Sequence, residues 1–144
     1  LLFAADRAEH LYSKNGIIEK CNNGTIVVSD RYLFSSLAYQ SHTCGKNLPE
    51  IINSTFPLPE YLFYFSINPE IALNRVLSRD GNNTEIFETL EYQKKTENEY
   101  KRVINEYKKM NTEMQIIEID ATLPVEKITK KIWTVIEQMP IMTM

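Results

Sequence analysis

An acid followed at once by a base, at the end of a short β-branched run, is where chemistry first becomes legible in this chain. The stretch is Thr25-Ile26-Val27-Val28-Ser29-Asp30-Arg31-Tyr32. A continuously apolar run of this length predicts a strand buried on both faces, the pattern of a parallel sheet. Its exit then lies at the carboxyl edge, outside which open α/β sheets hold their ligands. There a carboxylate such as Asp30 can hold magnesium through water, and a guanidinium such as Arg31 can take two phosphate oxygens in a fork. The pair points to phosphate chemistry. The same two residues also suit a helix N-cap and a solvated surface cation.

Further candidates stand at helical spacing. Phe3 and Arg7 are four apart, so they share a helix face, where a ring can stack a base and a guanidinium can donate to a base carbonyl. A core Phe beside an exposed Arg is the blander reading. After Arg31, Phe34, Leu37 and Ala38 fall on one side of a helical pattern, and Tyr32, Ser36, Tyr39 and Gln40 on another. That second side is polar and aromatic: a surface, or a wall continuing from Asp30 and Arg31 into one crevice. Arg75 and Arg79 are again four apart, placed to reach phosphate or to interact favourably with a helix C-terminus.

The elements that must position these groups follow from periodicity and turn chemistry. Residues 1–20 predict a helix interrupted near Asn15-Gly16, and Cys21-Asn22-Asn23-Gly24 predicts the turn before the first strand. Residues 41–59 are loop-rich, broken by Gly45, Pro49, Pro57 and Pro59, with a helical turn or two near 48–54. The run 61–67 predicts a second strand, too apolar for a wet face and in need of neighbours on both sides. Asn68-Pro69-Glu70 supplies an N-cap, a first-turn proline and an acid, starting a helix to about Ser78. The polar loop Asp80-Gly81-Asn82-Asn83-Thr84 precedes a long helix over 86–110. Flanked by helices and preceded by arginines, the region around 79–88 reads as a lid, or equally as an exposed connection. Residues 115–119 predict the third strand, Asp120-Ala121-Thr122 its exit turn, and 124–138 the last helix, with Val125, Ile128, Ile132, Val135 and Ile136 facing inward. Strands alternating with helices in this order predict an α/β domain with a parallel sheet.

The 144 residues suit one domain with a sizeable core, and 43% hydrophobic with 24% charged residues is ordinary for a globular protein. A net charge of −3 offers no broad basic surface, so no nucleic acid polymer is expected as main partner. Cys21 and Cys44 match no zinc spacing and no disulfide framework, which predicts reduced thiols in a cytoplasmic protein. No apolar run approaches membrane-spanning length, and the first residues given lack the basic start and cleavage site expected of a signal peptide. The chain begins at Leu1, already inside a helical pattern, and three strands alone would leave sheet edges of the kind proteins cover. Both features predict further sequence upstream.

Four stretches together resemble the thymidylate kinase family, a branch of the P-loop nucleoside monophosphate kinases. They are Leu2-Phe3-Ala4-Ala5-Asp6-Arg7; Val28-Ser29-Asp30-Arg31-Tyr32 followed by Ser35-Ser36-Leu37-Ala38-Tyr39-Gln40; Asn68-Pro69-Glu70 with Arg75 and Arg79; and Ile119-Asp120-Ala121-Thr122. The resemblance runs in family order over nearly the whole chain. It implies a three-layer, P-loop NTPase-like parallel sheet flanked by helices, the first strand or strands lying before residue 1, as a single domain over 1–144 with a lid around 79–88. It implies transfer of a phosphoryl group from ATP to dTMP with magnesium. On that pattern Phe3 stacks on thymine, Arg7 donates to its O4, Ser36 and Gln40 line its polar edge, and Tyr39 packs on the sugar where a ribose hydroxyl would crowd it. Asp30 then sits in the magnesium and phosphate region, reaching the ion through water, while Arg31 clamps phosphate. Arg75 and Arg79 serve ATP with the lid, and Asp120 and Ala121 lie near adenine. A homodimer through the helices of 1–20 and 32–40 is implied by the resemblance alone.

Two features depart from the family pattern. No GxxxxGK[ST] run, whose backbone N–H groups and lysine cradle the donor phosphates, occurs in these residues, and Asn82-Asn83-Thr84-Glu85-Ile86 carries no lid arginine. Two alternatives therefore stand beside the kinase. One is a non-catalytic remnant that binds nucleotide or dimerises; the other is a deoxynucleoside kinase, whose usual Glu-Arg-Ser is here Asp30-Arg31-Tyr32.

Overall fold

The helical stretch at the N-terminus is divided by backbone geometry that only certain residues adopt. In the computed structural model, which describes residues 1–80, 89–110 and 112–139, with Arg79 and Asp80 described by backbone only, helix α1 spans Leu2–Tyr12. It stops at Ser13, whose ψ of 163° turns the chain out of the helix. Asn15 then takes a left-handed φ of 61°, and its N–H donates to Glu19 Oε2 at 2.8 Å. Gly16 is needed here, because a Cβ would lie 2.7 Å from the Ser13 carbonyl oxygen and 2.8 Å from that of Leu11. Helix α2, Ile17–Asn22, follows directly.

Residues 25–29 correct the first expectation. They join no sheet among the described residues, and Ile26 and Val28 are 51% and 89% exposed. β-branched composition supplies a propensity, whereas a strand exists only where a neighbour takes its backbone hydrogen bonds. Among the described residues this segment has no such neighbour.

Helix α3, Leu33–Cys44, buries Leu33, Phe34, Leu37 and Ala38. Gly45 ends it at a φ of 68°, a conformation that glycine adopts without steric cost. Helix α4, Asn47–Asn53, buries Pro49 and Asn53. These elements and the middle of helix α6, which spans Leu90–Lys109, form one compact unit of Leu1–Pro57 and Lys95–Glu106. Val103 and Ile104 of α6 are core residues of this unit beside Leu11 and the apolar side chains of α3. Each large side chain fully buried in this way contributes roughly 1.5–3 kcal/mol. Polar pairs fix the register of α6: Ser35 Oγ and Tyr100 OH share a 2.8 Å hydrogen bond, and His42 Nε2 lies 3.2 Å from Thr96 Oγ1.

Arg102 is the charged hub of the same unit, bonded to Glu99, Glu50 and Glu106 at 2.9, 3.0 and 2.7 Å. Desolvation pulls its pKa down, but the hydrogen bonds it donates to Glu99, Glu106 and Glu50 outweigh it and hold the pKa above the ordinary arginine value. The network ties α4 to α6 at the rim of the core. Its value lies in the set, since removing the cation would leave three carboxylates facing one another.

The second unit is Leu58–Lys94 with Tyr107–Met144. Its sheet pairs β1, Tyr61–Ser66, with β2, Gln115–Asp120, in parallel from Tyr61 opposite Gln115 to Ser66 opposite Asp120. Both strands lie where apolar runs bounded by turn residues predict them. Ile119 is fully buried, yet Phe65 is 48% exposed. The two neighbours expected for β1 are thus one among the described residues. Helix α5, Pro69–Asp80, starts where Asn68 Oδ1 accepts the Glu70 N–H at 2.8 Å. Helix α7, Val125–Ile136, turns Ile128, Ile132, Val135 and Ile136 partly inward. Val125, the first residue of α7, is 72% exposed, contrary to expectation: it takes no part in the core formed by the described residues.

The architecture is mixed α/β with a parallel sheet and flanking helices. The lid region falls largely on residues 81–88, outside the described residues, as does the Arg79 side chain. No helix among the described residues is long and apolar enough to cross a membrane.

Candidate functional site

Arg7 is brought into a polar and aromatic nest by segments far apart in sequence. It projects from α1, and its Nη2 donates to Ser36 Oγ of α3 at 2.9 Å. Its Nη1 donates to Asn53 Oδ1 at the end of α4. The guanidinium carbon lies 5.2 Å from the centre of the Tyr32 ring and 5.1 Å from that of Phe56, within cation–π range of both. Tyr32 is itself fixed, its hydroxyl donating to the Pro57 carbonyl at 3.0 Å. Burial draws the Arg7 pKa down, against smaller opposing effects of Tyr32 and Asp6; an arginine so shifted stays cationic at neutral pH. Burial likewise raises the Tyr32 hydroxyl, with Arg7 acting the other way and Tyr12 adding to the rise. A guanidinium carries five N–H groups. Asn53 and Ser36 engage two of them. The others are left to donate elsewhere.

Phe3 stands one turn before Arg7 on α1 and is 67% exposed, an open ring rather than a core one. The rings over Arg7 are instead those of Tyr32 and Phe56.

The Asp30-Arg31 pair lies in the same unit, at the entrance to α3. Arg31 adopts a left-handed φ of 65°, and its carbonyl accepts the Ser29 hydroxyl at 2.8 Å. Both Asp30 and Arg31 are exposed. The Arg31 guanidinium carbon is 5.6 Å from the Tyr39 ring centre, and Tyr39 meets Tyr100 edge-on at 6.0 Å and 88°. Burial raises the Tyr100 hydroxyl pKa; its bond to Ser35 lowers it, Tyr39 raises it and Arg31 lowers it. Gln40, one helical turn beyond Ser36, has a buried Oε1 with no hydrogen-bond partner among the described residues. A buried acceptor left open in this way costs about 1–3 kcal/mol, so a group donating to it would be favoured.

The second unit assembles Arg75, Asp120 and Ala121. Arg75 Nη1 donates to the Ala121 carbonyl at 2.8 Å, while the Ala121 N–H donates to Ser66 O at 2.9 Å. Asp120 Oδ1 accepts the Thr122 hydroxyl at 2.6 Å and its N–H at 2.9 Å. Those two bonds, in that order, hold the Asp120 carboxyl below its usual pKa, with Lys131 and Arg75 adding to the effect. Arg75 also lines an open groove along α5 with Ile71, Asn74 and Ser78.

Two members of the Arg7 nest escape sequence reasoning, Asn53 and Phe56. Asn53-Ser54-Thr55-Phe56-Pro57 reads as turn chemistry, and its only local signal is a lone aromatic inside a polar turn. The link to Arg7 spans 46 positions, a separation that no periodicity exposes. Among the described residues no cluster of three or more His, Cys, Asp or Glu could hold a metal on its own.

The parallel sheet with flanking helices makes this a protein of the α/β class, and the guanidinium held by an amide, a hydroxyl and two rings is its candidate site. Comparison with known proteins narrows this. The family model described as thymidylate kinase matches residues 1–132. The "Putative thymidylate kinase" of Treponema pallidum is 39% identical over 132 residues, covering 92% of this chain and 63% of that protein. The "Thymidylate kinase" of Caldicellulosiruptor saccharolyticus is 34% identical, covering 96% of this chain and 66% of the relative. That of Anoxybacillus flavithermus is 30% identical, covering 95% and 66%. The chain belongs to the thymidylate kinase family, and it spans between 49% and 66% of the length of the curated relatives it matches.

Proposed function

We propose that the chain provides the acceptor side of a kinase that transfers the γ-phosphoryl of ATP to dTMP, giving dTDP. The observation that carries this reading is the Arg7 guanidinium, held by Asn53 and Ser36 beside two rings with N–H groups left to donate. Thymine offers an acceptor at O4 and a donor at N3. Arg7 complements the first, and the buried open Oε1 of Gln40 complements the second. Cytosine reverses both groups and would meet donor with donor and acceptor with acceptor. The exposed Phe3 ring is available to stack on the base, and Tyr39 to bear on the sugar face.

Arg31 takes the phosphate in this reading, as a planar fork suited to two oxygens. Magnesium typically binds through one or two carboxylates together with substrate phosphates and retained waters, so the single exposed Asp30 fits it through water. When bound, the ion neutralises charge on the transferring phosphoryl group. Arg75, Arg79, Asp120 and Ala121 would serve ATP, the last two beside adenine. No GxxxxGK[ST] run is present in these 144 residues, so the reading rests on the acceptor groups. Both units then act as one domain of a cytoplasmic homodimer. The exposed free thiols suit a reducing compartment, and the net charge of −3 gives no attraction for nucleic acid or an anionic membrane.

Calorimetric titration with dTMP and dCMP tests the reading. Mismatched buried hydrogen-bonding groups should weaken dCMP by at least about tenfold, and Arg7→Ala should reduce that preference to about threefold or less. Equal affinities for the two nucleotides in the unmutated protein would sink it.

A further inference from the structure

A long arginine side chain on a half-exposed helix would ordinarily sample many rotamers. Arg7 does not have that freedom, and the residue that removes it is Asn53. Asn53 closes α4 and is 4% exposed. Both ends of its amide are engaged: Nδ2 donates to the Pro49 carbonyl at 2.7 Å, and Oδ1 accepts from Arg7 Nη1. A flipped amide would set its NH2 group against the guanidinium, donor against donor, and turn an oxygen toward the Pro49 carbonyl. One orientation satisfies both partners. The buried end of α4 thereby offers a fixed acceptor, while Phe56, three residues on, lays its ring 5.1 Å from the guanidinium carbon. Ser36 fixes the second amino group from α3.

We propose that Asn53, assisted by Phe56, is a positioning residue for base recognition: it locks the Arg7 guanidinium so that its unengaged N–H groups are set for a pyrimidine carbonyl before the nucleotide arrives. This inference rests on the reading of Arg7 as the group that meets the thymine O4. Asn53 acts through Arg7 and gains its effect by removing ordering that binding would otherwise require.

The test is NMR of the ligand-free protein labelled with ¹⁵N and ¹³C at arginine, joined to dTMP titrations. In the unmutated protein the Arg7 guanidinium should rotate slowly about its Nε–Cζ bond and show resolved Nη–H signals. Asn53→Leu should average those signals, whereas Asn53→Asp, which keeps an acceptor, should preserve them. Asn53→Leu should weaken dTMP by about tenfold alone, and by no more than about twofold when Arg7 is already Ala. Averaged Arg7 signals in the unmutated protein would overturn the proposal even where Asn53→Leu fails to fold. So would an equal loss of dTMP affinity from Asn53→Leu with and without Arg7. Slow Arg7 rotation that depends on Asn53, together with dTMP binding indifferent to both residues, would overturn the thymine role of Arg7 and leave its fixation standing.

Discussion

Arg31 holds a backbone conformation that its side chain makes costly. A Cβ in the left-handed region crowds the following carbonyl at about 1–2 kcal/mol, and Arg31 sits there with a φ of 65°. Glycine would avoid that cost, as Gly45 does at 68°. A strained arginine kept at the entrance to α3 is an outlier of the kind that collects at functional sites. Arg31→Gly should therefore separate stability from binding. Urea denaturation should show stability unchanged or raised by up to about 1 kcal/mol, while dTMP affinity falls by at least about tenfold with the loss of a charged fork. Undiminished dTMP affinity in the glycine variant would remove Arg31 from phosphate binding.

Elements were legible where the sequence itself carries the cause. The break between α1 and α2 follows from Asn15 and Gly16, the start of α5 from Asn68 and Pro69, and β1 and β2 from apolar runs bounded by turn residues. Residues 25–29 have the composition of a strand, but pairing depends on neighbours that composition does not specify. The site divides in the same way. Helical spacing puts Ser36, Tyr39 and Gln40 on neighbouring turns and Phe3 one turn from Arg7. Asn53 and Phe56 reach Arg7 only through side-chain contacts between segments far apart in sequence, and that is a tertiary fact. The turn after β2 gives a check at this scale. Asp120 has a folded pKa below its unfolded value, mainly from the Thr122 hydroxyl and then the Thr122 N–H. Its contribution to stability is present above the ordinary carboxylate pKa and is lost as pH falls through the folded value. Thr122→Val removes the hydroxyl and keeps the N–H. NMR titration should then find the Asp120 pKa moved up toward the ordinary value, with acid unfolding beginning at higher pH; an unmoved pKa would show that the hydroxyl bond is not what holds the carboxyl down.

At the scale of the whole molecule, the family match over residues 1–132 runs through both compact units. The first carries Arg7, Asp30, Arg31, Ser36, Tyr39 and Gln40, and the second carries Arg75, Asp120 and Ala121. One unit thus holds every group assigned to the acceptor nucleotide, and the other those assigned to ATP. The first of these assignments is the central one: an acceptor site that requires both a thymine base and a phosphate. Competitive titration of dTMP against thymidine tests it most directly. Arg31 should make dTMP bind at least about tenfold more tightly than thymidine. Thymidine bound as tightly as dTMP would contradict the account and favour a nucleoside as the acceptor.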